Sequence, residues 1–296
     1  MDKNKIAVVI LHYNDFKMTK EYIDSLKKLE WNNIEHKFII VDNCSPDNSG
    51  KNLFEFYQSD EEVKIILLEK NIGFARGNNI GILYARQQLN YNLIVVSNND
   101  IAIKSEIFPQ KLIEEYENSG FAVYGPDIYS LSKKMHQSPM RKDPMNLEQV
   151  QKQIEKIDRI LPILKILDKL KIYDFLKKIK GILSSDKENQ NKEYLTRHED
   201  YVLHGSFFVL SELYLNEYPE GLFDKTFLYM EEDILAFRCK LKNLKTIYDP
   251  TLKIIHYDGV SSLKISGNRC KKFIREMTET RKSCVEYMNY MKEELQ

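Results

Sequence analysis

Four short apolar runs alternate with segments of helical periodicity over the first 100 residues of this chain. The runs are rich in Ile, Val and Leu and occupy residues 6–11, 38–41, 63–68 and 93–96. Between them, apolar residues recur at the spacing of an amphipathic helix, over residues 15–29, 50–57 and 75–89. Strands that are apolar on both faces and alternate with helices predict a mainly parallel sheet. The sequence therefore predicts an α/β, doubly wound half-domain with helices on both faces.

The triplet Asn98-Asn99-Asp100 comes directly after the fourth apolar run. Open α/β sheets bind ligands at the carboxyl ends of their strands, so a carboxylate there stands where a substrate would lie. Carboxylate oxygens are ligands that Mg²⁺ and Mn²⁺ favour. The triplet therefore predicts a site for a divalent cation and a diphosphate.

Two further loops follow strands of the same sheet. Asp42 comes after the second strand, and Asn71 and Arg76 lie in a glycine-containing segment after the third. Loops after parallel strands converge on one edge, so Asp42, Asn71 and Asp100 are expected to line one crevice. A carboxylate suits the donors of a base or ribose, and an arginine suits phosphate. The glycines of residues 71–81 do not fit the G-x-G-x-x-G fingerprint, which argues against a nicotinamide enzyme.

The composition limits the classes of protein to which such a crevice can belong. A chain of 296 residues with 43% hydrophobic residues can build one large α/β domain, alone or with a smaller appendage. The 44 basic and 44 acidic residues cancel, so no overall field attracts nucleic acid. The four cysteines lack the spacing of a metal site. A strand that begins by Ile6 leaves no room for a secretory signal, so the reducing cytosol is the expected compartment. No apolar run approaches the ~20 residues of a membrane span.

Residues 147–183 form an insertion rich in Leu, Ile and Lys. Apolar residues recur there at helical spacing, and residues 159–183 contain seven basic and two acidic residues. A helical hairpin that packs its apolar face on the domain explains this pattern. A basic amphipathic helix that lies on an anionic membrane, or serves a lipid-linked substrate, explains it as well. Both interpretations stay open.

Three adjacent acids, Glu231, Glu232 and Asp233, open a predicted helix after the apolar residues 227–230. Acidic residues are common in a first helical turn because they complement the helix dipole. The apolar lead-in favours carboxylates that emerge from packed structure into a cleft, where one could act as a general base on a hydroxyl.

His256 ends the last predicted strand, residues 252–256, after earlier ones at residues 207–210 and 246–248. A lone histidine is more often a hydrogen-bonded structural residue than a ligand. A neutral imidazole close to Asp100 would nevertheless complete a metal shell whose other ligands are phosphate oxygens and water. The pattern of residues 268–295 predicts a C-terminal helix with one apolar face. This face could pack on the rest of the domain or form the contact of a homodimer.

Several ordered motifs together resemble one family. They are VVILHYND, FIIVDNCSPDNSG, NIGFARGNNIGI, VVSNNDI, HGSFFVLS, FLYMEEDILAFR and IIHYDGVSS, and they lie within residues 6–125 and 203–262. The chain resembles a family 2 glycosyltransferase of the GT-A fold. Within the family it looks most like the rhamnosyltransferase-like bacterial enzymes that build surface polysaccharides.

The resemblance implies a mixed, mainly parallel GT-A-type sheet with helices on both faces, a helical insertion and a C-terminal helix. Residues 1–130 would form the half that binds the nucleotide sugar, and residues 201–265 the acceptor and catalytic half. The basic helical insertion would occupy residues 131–200, and the C-terminal helical segment residues 266–296.

The resemblance also implies roles for individual residues. Asp100 would be the carboxylate that remains of the D-x-D motif, whose first acid is replaced by Asn98, and His256 would be the other protein ligand of Mn²⁺ or Mg²⁺. The implied nucleoside- and donor-binding residues are His12, Tyr13, Asn14, Asp42, Asn71, Arg76, Asn78 and Asn99.

The same resemblance makes Asp233 the general base, with Glu232 orienting it or binding the acceptor. Which of the two is the base stays open, because three acids adjoin. The implied acceptor-binding residues are Gly205, Ser206 and Glu231. An inverting displacement needs one carboxylate to deprotonate a hydroxyl and one cation to offset charge on the leaving diphosphate. Asp100, Asp233 and His256 are therefore expected to meet around a single cation.

The expected function is transfer of a sugar from a nucleoside-diphosphate sugar to a saccharide acceptor, lipid-linked, in bacterial polysaccharide or capsule synthesis. The expected location is the cytoplasm, with peripheral contact to the inner face of the membrane through residues 159–183. The alternative is a catalytically silent subunit that binds nucleotide sugar in a membrane-associated assembly complex. Retention of Asp100, Asp233 and His256 favours the enzyme. A nucleotidyltransferase would need a glycine- and arginine-rich N-terminal phosphate loop, which LHYNDFK lacks.

Overall fold

The computed structural model describes residues 5–171, 192–258 and 269–295. The strands are β1 Lys5–His12, β2 Glu35–Asp42, β3 Val63–Leu67, β4 Leu93–Asn98, β5 Ile101–Ile103, β6 Val123–Ser130, β7 Met135–His136, β8 His198–Glu199, β9 Phe207–Ser211 and β10 Thr246–His256. The α-helices are α1 Phe16–Leu26, α2 Ser49–Tyr57, α3 Phe74–Leu83, α4 Phe108–Ser119, α5 Leu147–Lys169, α6 Glu212–Glu217, α7 Glu231–Leu241 and α8 Arg269–Glu294. A π-helical turn, Tyr84–Gln88, follows α3, and a 3-10 turn occupies Lys192–Leu195.

These strands form one sheet with the order β3-β2-β1-β4-β9-β6-β10-β5, while β7 pairs with β6 and β8 with β10. Strands β1 to β4 run parallel, and so do β6 and β10. Strand β9 is antiparallel to both of its neighbours, β4 and β6. The predicted mixed, mainly parallel α/β sheet is confirmed, and β9 joins its two halves.

The residues of β1 explain why its apolar run needs cover on both faces. Ile6, Val8 and Ile10 lie in one buried cluster, which includes side chains of α1 and α2. Ala7 and Val9 lie in a second cluster, which includes side chains of α3. Successive side chains of a strand point to opposite faces. Each large side chain buried in this way contributes about 1.5–3 kcal/mol to folding.

Among the elements whose boundaries differ from the sequence prediction, β10 and α3 differ most. The strands predicted near residues 246 and 252 are one strand, β10, whose register with β6 shifts between Asp249 and Lys253. Pro250 lies in that shift, and since proline has no N–H the ladder is interrupted while the strand continues. Helix α3, predicted to continue to residue 89, changes to π-helical form after Leu83.

Helices α5 and α8 pack side by side and form a helical layer with a buried cluster of its own. Val150, Ile157 and Leu164 are the buried residues of α5. The side chains of Ile163, Ile166 and Leu170 remain 57%, 56% and 60% exposed. The predicted apolar stripe is therefore only partly buried: one row of its side chains packs inside, and another remains exposed to solvent. The part of the predicted hairpin at residues 172–183 lies outside the described residues.

Within residues 5–171, 192–258 and 269–295, no helix has both the length and the apolar character needed to cross a membrane.

Candidate active site

Three strands end together at one edge of the sheet. His12 of β1 pairs with Asp42 of β2 in the register, and Leu11 pairs with Asn98 of β4. Because the strands are parallel, the loops that follow them open on the same crevice. The structure thus brings Asp42 and the triplet of β4 to one edge.

His12 supports the β1 loop from the interior. Its side chain is fully buried, with Nδ1 2.6 Å from Thr19 Oγ1 and Nε2 2.7 Å from Ser49 Oγ. Burial lowers the pKa of this imidazole, and the negative charge of Asp42 raises it by a smaller amount. Since both ring nitrogens are engaged, His12 holds the loop in place, and Tyr13 is the loop residue that lines a cavity.

A polar network underlies the crevice. The Ser45 hydroxyl donates to Asp42 Oδ1 at 2.5 Å and accepts the Asn14 N–H at 2.8 Å. Asn99 Nδ2 donates to Thr19 Oγ1 at 2.9 Å. Asn14 Oδ1 is buried and has no hydrogen-bond partner among the residues that the structure describes. Leaving such an acceptor unpaired costs about 1–3 kcal/mol, so a ligand that offers a donor there would be favoured.

The loop after β3 is fixed by Asn43 and by the segment before α7. Asn43 accepts the Ile72 N–H at 2.9 Å and donates to the Gly73 carbonyl at 3.0 Å. Gly73 has a φ of +92°, and a Cβ there would lie 2.4 Å from the Phe227 carbonyl oxygen. The same carbonyl accepts the Phe74 N–H at 2.8 Å. Only glycine fits this close approach.

Asn71 lies in this loop, whereas Arg76 and Asn78 lie in the first turns of α3, and the three predicted residues have different surroundings. Asn71 borders the cavity, and its Oδ1 accepts the N–H two residues further on at 3.0 Å. Arg76 Nε donates to the Asp224 carbonyl at 2.5 Å. Asn78 is fully buried and donates to the Phe74 carbonyl at 3.0 Å. Arg76 and Asn78 therefore hold the local structure, and Asn71 faces a ligand-sized space.

A cavity of about 390 Å³ opens beside these loops, and the first turns of α8 form one wall. Its lining residues are Leu11, Tyr13, Asn43, Asn71, Gly73, Phe74, Phe227, Leu228, Tyr229, Lys271, Lys272, Arg275, Glu276 and Glu279. Small-molecule sites have volumes of roughly 300–1,000 Å³ and apolar walls with a few polar groups. The size and lining suit a nucleoside.

Asp100 and His256 meet at the carboxyl end of the sheet. His256 Nε2 lies 3.2 Å from Asp100 Oδ1, and both side chains are buried. His256 Nδ1 lies 2.8 Å from Gln137 Oε1, which can only accept, so Nδ1 carries a proton. In the neutral ring, Nε2 of His256 then has a lone pair and no proton, and it faces the Asp100 carboxylate, which is also an acceptor. Two acceptors repel each other at this distance, so a proton or a cation is needed between them.

This pair fits a divalent cation. Adjacent ligands of a six-coordinate Mg²⁺, each at about 2.1 Å, stand about 3 Å apart. The Gln137 contact orients the ring as a metal-bound histidine requires. In the part of the chain that the structure describes, no group of three or more His, Cys, Asp or Glu side chains could hold a metal. Asp233 therefore does not join Asp100 and His256 in the predicted shared cluster.

Asp233 is bound to the segment that leads into α5. Its Oδ1 accepts the Met145 N–H at 2.7 Å, and its Oδ2 forms an ion pair with Arg141. Both carboxylate oxygens are thus occupied, and the side chain is buried.

Glu231 and Glu232 are partly buried at the start of α7. Burial raises the pKa of Glu231 to about 8, and the charge of Glu232 adds to the effect. Burial also raises the pKa of Glu232, although the Gly205 N–H opposes this by donating to Oε1 at 3.2 Å. A carboxylate with a raised pKa is a stronger base near neutral pH. Within the described part of the chain, Glu231 Oε1 is buried and has no hydrogen-bond partner.

The segment His204–Ser206 links these groups. Its Ser206 carbonyl accepts the Asn98 N–H at 2.9 Å, and its Gly205 N–H holds Glu232. The His204 ring centroid lies 5.9 Å from that of His256, and burial lowers the pKa of His204 to about 3. His204 was not among the residues predicted from the sequence. Its only signal was its place at the start of the HGS motif.

Comparison of this sequence with known protein families gives a match that is consistent with the fold and with the crevice. The glycosyl transferase family 2 model matches residues 7–176, which is more than half of the chain, so the chain belongs to this family. It is similar to "Glycosyltransferase GlyG" of Streptococcus pneumoniae serotype 4 (strain ATCC BAA-334 / TIGR4), with 32% identity over 102 residues. That alignment covers 34% of this chain and 32% of the relative.

Solved structures show the same GT-A fold. S. aureus TarS 1-349 in complex with UDP-GlcNAc superposes with a TM-score of 0.55 and 14% identity, over 92% of this chain and 66% of that one. GalNAc-T7 with UDP, GalNAc and Mn²⁺ gives a TM-score of 0.54 and 10% identity, over 86% and 44%. The matched regions span less than two thirds of the relative and of both solved chains. The chain thus belongs to glycosyl transferase family 2 and has the GT-A fold.

Proposed function

We propose that this chain is an inverting glycosyltransferase, which moves a sugar from a nucleoside-diphosphate sugar to a hydroxyl of a saccharide acceptor. The observation that carries the proposal is the arrangement around His204–Ser206. At one end of this segment His204 contacts His256, the partner of Asp100, while Gly205 holds Glu232. A base and a diphosphate site that flank one short segment are what a displacement at an anomeric carbon needs.

Asp100 and His256 are the residues that would hold Mn²⁺ or Mg²⁺, together with phosphate oxygens and water. The cation, when bound, would offset the negative charge that develops on the leaving diphosphate. Gln137 keeps the His256 ring oriented for this role through the contact at Nδ1.

Glu232 is the base in this proposal. Its Oε1 is anchored by one backbone N–H, and burial keeps its pKa raised, so it can take the proton of an acceptor hydroxyl. Asp233, bound by Arg141 and the Met145 N–H, positions the start of α7. Glu231, Gly205 and Ser206 lie on the acceptor side of the crevice.

The donor nucleoside occupies the cavity beside Tyr13 and Asn71. Asn43 and the end of β1 with its loop line it on one side, and the first turns of α8 line it on another. Two solved structures of the same fold contain uridine nucleotides, which supports a uridine-type donor here.

The acceptor is lipid-linked in this proposal and belongs to polysaccharide synthesis at the inner face of the membrane. The exposed side chains of Ile163 and Ile166 on α5, and of Leu170 directly after it, support membrane contact, because lysines at positions 165, 169 and 171 accompany them. A homodimer through α8 stays a proposal.

Release of free nucleoside diphosphate tests the function. The purified chain is incubated with UDP-GlcNAc, UDP-glucose or dTDP-rhamnose, with and without Mn²⁺. We expect release from one of these donors that depends on Mn²⁺. Binding of a donor without any release, with or without saccharide acceptors, would favour the silent subunit instead.

A further inference from the structure

His204 Nδ1 is engaged by two groups of a single residue. The Ser206 N–H donates to it at 3.2 Å, and the Ser206 hydroxyl lies 2.9 Å from it. A backbone N–H can only donate, so Nδ1 must be an acceptor without a proton. The neutral ring therefore carries its proton on Nε2. The backbone thus fixes one tautomer of this histidine.

The Nε2–H group of His204 is available to a ligand. Across residues 5–171, 192–258 and 269–295, the hydrogen bonds of this side chain are the two at Nδ1. His204 is only partly buried, so its Nε2–H is not enclosed in the apolar core. A fixed donor that borders a crevice and lacks a protein partner is suited to bind an oxygen of a ligand.

The position of His204 indicates which part of the ligand it meets. Its ring contacts that of His256, which pairs with Asp100 on the side of the diphosphate. The next residue, Gly205, holds Glu232. In an inverting displacement the sugar lies between the leaving diphosphate and the base. A side chain placed between these two groups faces the sugar.

We propose that His204 is a substrate-binding residue, whose Nε2–H donates to a hydroxyl of the transferred sugar. This inference rests on the proposed function, because it takes Glu232 as the base and Asp100 with His256 as the diphosphate side. It assigns to His204 a part in choosing the donor sugar, whereas the cavity beside Tyr13 and Asn71 binds the nucleoside. Its effect is therefore specific to the sugar and independent of the nucleotide.

Two substitutions test the proposal. His204→Phe keeps a planar ring but removes the N–H, and His204→Gln keeps an N–H donor at similar reach. Calorimetry with Mn²⁺ measures the affinity for UDP and for UDP-GlcNAc, or for dTDP and dTDP-rhamnose where the wild type prefers that donor. We expect His204→Phe to leave the affinity for the free nucleotide within twofold and to weaken that for the sugar nucleotide by about 3- to 10-fold. His204→Gln should recover part of the loss.

His36→Phe is the matched control. His36 lies on β2 at the opposite end from Asp42 and stacks on Trp31, so this variant should change neither affinity. The proposal would be overturned if His204→Phe changed neither affinity. It would also be overturned if His204→Phe weakened the affinities for nucleotide and sugar nucleotide equally, because equal losses indicate a structural role. If the wild type binds none of these nucleotides, the proposed function fails and this inference fails with it.

Discussion

Glu232 and Asp233 are neighbours in the sequence, but their carboxylates have different partners. Asp233 has both oxygens occupied by Arg141 and the Met145 N–H, whereas Glu232 accepts backbone N–H groups, its own and that of Gly205. An ion-paired carboxylate is a poor base because its charged form is already stabilised. The sequence placed three acids at the start of one helix, but it could not separate them. Their partners come from segments that are 27 to 92 residues away in the chain and become neighbours only in the fold.

Glu232→Gln should therefore abolish turnover while donor binding persists. A positioned base contributes about 10² to 10⁴ in rate, and we expect a loss of that order in kcat. The affinity for the donor nucleotide should change less than twofold by calorimetry. Asp233→Asn should keep most of the turnover but lower the free energy of unfolding, since Arg141 loses its partner. The opposite ranking of the two variants would assign the base to Asp233.

The pH dependence of the reaction follows from the same residue. The base must be deprotonated, so kcat/KM should rise as the pH rises through the pKa of Glu232. Because burial raises this pKa, the acid limb should lie above 4.5, the value for a free glutamate. A limb at or below 4.5 in a pH-rate profile would contradict the assignment.

At the scale of elements, apolar periodicity predicted the long strands and helices, because it reports which faces are buried. The apolar runs at β1, β2 and β4 are buried on both faces, as their sequences predicted. Short elements such as β5 and α6 were not predicted, since three to six residues contain too little periodicity. The close approach of Gly73 to Phe227 was also invisible, because it depends on a contact between distant loops.

Gly73→Ala should destabilise the protein. Its φ of +92° disfavours a side chain, and the added Cβ would collide with the Phe227 carbonyl. A backbone with φ +92° and ψ −176° is one that essentially only glycine adopts, so the conformation alone costs roughly 1–3 kcal/mol, and the collision adds to this. Gly120→Ala is the control, since Gly120 has a positive φ of +59° but open space around its Cβ. Urea denaturation should show the larger loss for Gly73→Ala, and equal losses would remove the collision from the explanation.

The exposed stripe of α5 should bind anionic vesicles. Wild-type protein is expected to cosediment with phosphatidylserine-containing liposomes at low salt and to detach as salt rises. Ile163→Ser with Ile166→Ser should weaken binding by about tenfold or more, because each isoleucine loses apolar burial in the bilayer. Phe54→Ser removes an exposed aromatic residue of α2 and serves as the control. Equal binding of all three proteins would favour a role of α5 in packing alone.

At the scale of the whole molecule, the two halves of the sheet are not independent. Strand β9 lies between β4 and β6, so in the sheet β6 is joined to the first half through a strand from much later in the chain. The sequence predicted the two halves as separate segments at residues 1–130 and 201–265. Pairing between them was not predictable, because strand order depends on long-range contacts that periodicity does not encode.

A fragment of residues 1–130 should therefore not unfold cooperatively. Without β9, β4 has an open edge, and β6 loses both β9 and β10. Urea titration followed by circular dichroism should show a broad or absent transition for the fragment and a sharp one for the full chain. A sharp transition for the fragment would establish the first half as a unit that folds alone.

The place of β9 also has a consequence for synthesis on the ribosome. β4 ends at Asn98 and β9 begins at Phe207, so the edge of β4 emerges well before its partner. At roughly 5–20 residues per second, the delay is on the order of ten seconds. An unpaired edge is a template for aggregation, so the nascent chain should depend on chaperones during this interval.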